Sequence, residues 1–302
     1  MLEGFRKERV NASEGFPLAA FVRRPERGEA GPPLFLVNGL GGHIATWRHL
    51  IAHFAPRHAI ATWDYRGLFA SRFEPETRAA FRRGDIPITV ETQASDAVAV
   101  MDALGIEKAV LVGWSMGVQL GFEIAHRVPE RVAGLVQICG APGRTMASTV
   151  LGAAGQTMIP PMMDTFRRVV ERCGPLMARA LASSAAFRLA KLSGMVAPTL
   201  DEGLAAEIVR DYMGLDFHVY NATLADLGRH DMTPFLAGLR KPVLVVAGTR
   251  DAMTPVRVGQ AMAARIPGAE LQVIEGGSHY LPIEYPDALN RAVESFLARR
   301  VA

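Results

Sequence analysis

Residues 109 to 130 read AVLVGWSMGVQLGFEIAHRVPE, an apolar run that reaches Gly113-Trp114-Ser115-Met116-Gly117 and changes at once to helical spacing. A buried strand that turns directly into a helix, with a serine held between two glycines, leaves few architectures open. A serine hydroxyl is a weak nucleophile and must be exposed, aimed and given a base before it reacts. A sharp strand-to-helix turn does the aiming. The backbone at Ser115 is then expected to be strained, with neighbouring chain so close that Gly113 and Gly117 cannot carry side chains.

The rest of the chain agrees with a mostly parallel sheet covered on both faces. Short apolar runs fall at Pro17 to Val22, Pro33 to Gly39, His58 to Asp64, Lys108 to Gly113, Val132 to Gly140, Pro242 to Gly248 and Leu271 to Gly277. Helical patterns lie between them, an alternation that marks α/β architecture. One helix is expected from about Thr92 to Leu104, stopping at Gly105. Another closes the chain with Leu289, Val293, Phe296 and Leu297 on one face. The 302 residues, 49% of them apolar, suit one large domain with a sizeable core. Residues 142 to 240 interrupt the alternation: Phe166, Val169, Val170 and Cys173 recur at helical spacing and no strand pattern intervenes. This stretch reads as a helical insertion, a lid over a core made of residues 1–141 and 241–302.

Several classes are disfavoured. Met1 to Val10 contain no apolar run suited to a signal peptide and no segment could span a membrane, which predicts a cytoplasmic protein. The net charge of +3 comes from scattered arginines without interleaved aromatics, so no nucleic-acid partner is expected. Cys139 and Cys173 suggest neither disulfide nor zinc and read as buried thiols. No metal or organic cofactor is implied, there being no HExxH, P-loop or GxGxxG motif. Monomer and dimer both stay open.

The base for Ser115 is sought among eight histidines. His279 follows the last apolar run, where a loop at the carboxyl end of a parallel strand faces the same crevice as the serine turn. His43 is second choice, while His49, His53, His58 and His126 read as solvated. Asp251, at the end of another apolar run and before His279, is the candidate orienting carboxylate. The Met116 amide, at the start of the helix, would meet developing negative charge.

With the order Ser115, Asp251, His279 and the glycine-flanked serine, the chain resembles the α/β-hydrolase superfamily in its helical-cap form. The resemblance implies an α/β-hydrolase fold and a second oxyanion donor at the Leu40 amide, in the turn Asn38-Gly39-Leu40-Gly41-Gly42. Asn38 stands where the family usually has histidine. Phe69 replaces a family glycine in Asp64-Tyr65-Arg66-Gly67-Leu68-Phe69-Ala70-Ser71, so Asp64 and Arg66 are expected to make internal contacts and Phe69 becomes a pocket candidate. The implied reaction is cleavage of a small-molecule ester through an acyl-enzyme. Acyltransferase, lactonase, carbon–carbon hydrolase and perhydrolase chemistry use the same triad, and a non-catalytic receptor is the alternative of another class. Eight of the 13 methionines lie in the insertion. They suggest an apolar pocket lined by Trp114, Phe69, Met158 and Met162. Seven basic residues against two acidic ones between Pro142 and Met195 read as a solvated face.

Overall fold

The computed structural model describes residues 3–12, 15–25, 28 and 31–301; Met1 and Leu2 of the expected leaderless start lie outside them. Eight strands form one sheet: β1 (Arg6–Asn11), β2 (Pro17–Arg23), β3 (Leu34–Val37), β4 (Ile60–Trp63), β5 (Ala109–Trp114), β6 (Val132–Ile138), β7 (Val243–Gly248) and β8 (Glu270–Ile274). Their spatial order is β1-β2-β4-β3-β5-β6-β7-β8. β1 and β2 pair antiparallel, as do β2 and β4, and every later pairing is parallel.

The continuous apolar runs follow from burial on both faces. Leu34 and Leu36 enter one core with Val110, Val112, Val136 and Ile138. Phe35 and Val37 enter the other with Leu111 and Leu135. Side chains one residue apart on a strand point to opposite faces, so no position is left to face water. Helices α1 (Arg48–Phe54) and α12 (Pro286–Arg300) cover the first face through Leu50, Phe54, Leu289, Val293, Phe296 and Leu297. Helices α3 (Val90–Ala103), α4 (Met116–Arg127) and α10 (Val256–Arg265) cover the second, and α2 (Pro75–Arg83) precedes them. α3 starts two residues before the expected Thr92 because Thr89 and Thr92 form a reciprocal cap.

Between β6 and β7 lie α5 (Thr145–Ser148), α6 (Ala153–Leu181), α7 (Ser184–Leu192), α8 (Glu202–Met213), α9 (Phe217–Leu227) and a 3-10 helix, Thr233–Gly238. A β-bridge between Gly143 and Asp231 brings the two ends of this segment together. Phe187, Leu200 and Leu204 pack with Ala45 and Ile283 from outside it. The buried stripe of α6 is rotated from the expected one. Val170 and Gly174 are buried, whereas Val169 and Cys173 face outward. Cys173 is thus an exposed thiol and only Cys139 is buried. α11 (Leu281–Glu284) completes the helices. Among the described residues no helix is long and apolar enough to cross a membrane.

Sheet order positions the site. The chain leaves β3 toward β4 on one side, while β5 lies on the other. The carboxyl ends of β3 and β5 therefore flank a topological switch point, where such sheets open a crevice.

Candidate active site

Ser115 follows β5 and precedes α4 with φ 56° and ψ −116°. The glycines on either side have measurable reasons. A Cβ on Gly113 would stand 2.4 Å from the Gly117 carbonyl oxygen, and one on Gly117 would stand 2.0 Å from that of Val37. Strand, turn and helix are thus in backbone contact, and the strained turn is anchored by the Ser115 amide donating to Ile138 O at 3.0 Å.

The His279 ring bridges two partners. Its Nε2 lies 2.8 Å from Ser115 Oγ and its Nδ1 lies 2.9 Å from Asp251 Oδ2. Asp251 Oδ1 accepts the Met253 and Thr254 amides, each at 2.8 Å, and Oδ2 also accepts the Thr254 hydroxyl at 2.7 Å. Burial pushes this carboxyl up, but the His279 charge and the hydrogen bonds from His279 and Thr254 outweigh it and hold Asp251 below the usual carboxylate range. Ionised, it accepts from Nδ1–H and leaves Nε2 to take the serine proton.

The histidine loop is held from both sides. The Ser278 amide and hydroxyl donate to Glu284 of α11 at 2.9 and 2.6 Å. The same carboxylate accepts the Ala197 amide at 2.8 Å, reaching into the helical segment. On the other side the Trp114 indole donates to His279 O at 2.8 Å.

The turn after β3 faces Ser115. The Gly42 amide donates to Gly39 O, which closes a turn around Leu40 and Gly41, and Gly41 has φ +78°. Met116 is the first residue of α4, so its amide has no acceptor within the helix. Asn38 is tied into the turn through three of its polar groups. Its Oδ1 accepts the Trp47 indole at 2.7 Å, its Nδ2 donates to Trp63 O at 2.7 Å, and its own carbonyl accepts the Tyr65 hydroxyl.

The four pocket candidates are distributed unevenly. Trp114 is buried, and its ring lies against Gly39 and Gly42, supporting the turn after β3. Phe69 packs against His43 with ring centroids 4.6 Å apart and planes tilted by 40°. It occupies a left-handed backbone position with φ 45°, where glycine would be unstrained. Met158 and Met162 are 56% and 58% exposed. They sit one turn apart on α6, on a face no other element covers, and do not roof an enclosed apolar pocket. In the same loop as Phe69, Asp64 accepts the Ala70 amide, and Arg66 makes a two-pronged, fully buried pair with Asp96 at 2.7 and 2.6 Å.

His43, the second choice of base, lies away from Ser115 Oγ, which His279 contacts instead, and two tyrosines beside it escaped the sequence reading. His43 Nε2 lies 3.1 Å from Asp211 Oδ2 of α8, and burial lowers the His43 pKa despite that carboxylate. Tyr212 of α8 and Tyr220 of α9 lie against the Leu40 turn. A Cβ on Gly41 would stand 2.7 Å from Tyr212 ring carbons and 3.2 Å from Tyr220 Cε2. No motif marks these residues, since they reach the site only through the packing of helices over a hundred residues further along the chain.

Residues 32–286 match the family model for the alpha/beta hydrolase fold. The chain belongs to the α/β-hydrolase family. Its relatives in that family include a putative carbamate hydrolase of Azorhizobium caulinodans, 26% identical over 275 residues that cover 88% of this chain and 91% of the relative. A 3-oxoadipate enol-lactonase of Acinetobacter baylyi is 27% identical over 270 residues, covering 89% of each chain. Among solved α/β hydrolases, a thermophilic esterase from Thermogutta terrifontis is similar with a TM-score of 0.71 and 22% identity, covering 98% of this chain and all of the other.

Proposed function

We propose that the chain is a serine hydrolase that cleaves carboxylic esters through an acyl-enzyme. The observation that carries this reading is the continuous hydrogen-bonded line from Ser115 Oγ through the His279 ring to Asp251, with links of 2.8 and 2.9 Å. As Ser115 attacks the ester carbonyl, its proton passes to His279 Nε2. The Leu40 and Met116 amides receive the oxyanion, and Asp251 compensates the imidazolium. His279 then returns the proton to the leaving alcohol. Water repeats the sequence on the acyl-enzyme, with His279 as base, to release the acid and restore Ser115. The helical segment 142–240 acts as a cap that carries part of the binding surface.

A cyclic ester undergoes the same steps, and the enol-lactonase relative favours testing lactones beside open-chain esters. The test is turnover of 4-nitrophenyl esters and lactones by the protein and by Ser115→Ala, together with labelling by an organophosphate. Turnover and labelling at residue 115 are expected, and both vanish in the variant. Retained turnover or labelling elsewhere assigns the chemistry to another residue.

A further inference from the structure

The tyrosines around the nucleophile fall into two kinds. Tyr65 is fully buried and its hydroxyl is committed to Asn38 O. Tyr212, Tyr220 and Tyr280 keep partial solvent exposure. Among the described residues no protein acceptor takes the Tyr220 or Tyr280 proton, and neither oxygen is sealed in the interior. We propose that these three hydroxyls form a donor site beside the Leu40 turn that binds a second, uncharged oxygen of the substrate, a ketone or ester carbonyl a few atoms from the scissile bond. This deepens the ester-hydrolase reading and rests on it for the word substrate; the binding site itself does not.

Geometry gathers the three groups. Tyr212 and Tyr220 meet edge to face, with centroids 5.4 Å apart and an interplanar angle of 87°. Both rings touch the turn that carries the Leu40 amide. Tyr280 directly follows His279, and its ring lies 6.2 Å from that of Trp114. The hydroxyls sense one another. The three phenols lie close enough to act on one another electrostatically.

Chemistry narrows the ligand. Burial holds all three phenols above their ordinary pKa, so each is a neutral O–H donor at any working pH. Phenolic hydroxyls with apolar surroundings are normally paired, and the matching partner is an acceptor oxygen. A carboxylate is disfavoured, because Asp211 lies beside Tyr212 and the Asp251 charge acts on Tyr280. A purely alkyl chain would leave the donors unpaired, which is how a polar site discriminates against an apolar analogue.

Two measurements test the site. The first is the ratio of kcat/KM for 4-nitrophenyl 5-oxohexanoate to that for 4-nitrophenyl hexanoate, in the protein and in Tyr220→Phe and Tyr280→Phe. The ratio should favour the oxo ester and fall about fivefold to tenfold in each variant, the range of one hydrogen bond. The second is calorimetric titration of Ser115→Ala with 5-oxohexanamide and hexanamide, which needs no turnover. The oxo amide should bind about five times more tightly, and Tyr220→Phe in the same background should abolish the difference. Equal affinities, or a ratio unchanged in folded variants, overturn the proposal while leaving ester hydrolysis standing. Oxo-selective binding without turnover of any ester overturns the ester-hydrolase reading and leaves the tyrosine site standing.

Discussion

Asp251 receives three donors besides the histidine, and their arrangement fixes what the position tolerates. Its Oδ1 is occupied by two backbone amides, so the carbonyl of an asparagine placed there must face them. The amide nitrogen would then face His279 Nδ1, which becomes an acceptor and forces Nε2 to carry a proton. Asp251→Asn is therefore expected to lower kcat by about 10⁴-fold with little change in substrate binding. Single-turnover acylation rates check this, and a loss below about tenfold would assign the orienting role to another acid. At this scale the sequence was informative wherever chemistry and strand ends coincide: Ser115, Asp251 and His279 each follow an apolar run and meet as expected in space. Tyr212 and Tyr220 carried no such signal. An aromatic residue on an amphipathic helix reads as packing until the helix is placed.

The contact between α4 and β3 is made backbone to backbone, and that sets its tolerance. Gly117→Ala would put a methyl 2.0 Å from Val37 O and 3.0 Å from Asn38 O, with no flexible side chain to yield. The substitution is expected to destabilise the protein by about 3 kcal/mol or more, or to prevent folding. Gly84→Ala at the end of α2 is the matched control, since nothing lies within 4 Å of its Cβ and only its φ of +87° opposes a side chain. That change should cost about 1 kcal/mol. Urea midpoints compare the two, and equal losses would mean that the backbone around position 117 shifts to admit a methyl instead of resisting it. Seven strands were legible as apolar runs. β1 was not, because RKERVN has one buried residue, Val10. The inward stripe of α6 was misplaced for a related reason: the helix is largely exposed, and Phe166, Val170 and Met177 meet the core while Val169 turns away. Weakly buried elements leave weak periodicity.

Away from Ser115, His279 and Asp251, the molecule carries a strongly displaced carboxyl at Asp64. Burial pushes Asp64 up to about 7 from 3.8, against the Ala70 amide that stabilises its charged form. The folded state thus binds the Asp64 proton more tightly than the unfolded chain does. Its contribution is fully present below about pH 4, is lost as pH rises toward about 7, and is flat above. Asp64→Asn removes this dependence. Its stability relative to the parent should rise by up to about 4 kcal/mol between those limits, as read from urea unfolding at each pH. A difference independent of pH would mean that Asp64 ionises in the folded protein as it does in the unfolded chain.

The sheet also ends in a way that governs what the molecule does in crowded solution. Its outer strand β1 presents Arg6, Lys7, Glu8 and Arg9 in succession, with only Val10 turned inward. An incoming β-strand from another copy would have to strip water from these charges, and from its own if it offered the same edge, for a few backbone hydrogen bonds. The strand that hid from hydrophobic pattern is, for that very reason, a poor template for a strand of another copy to pair with.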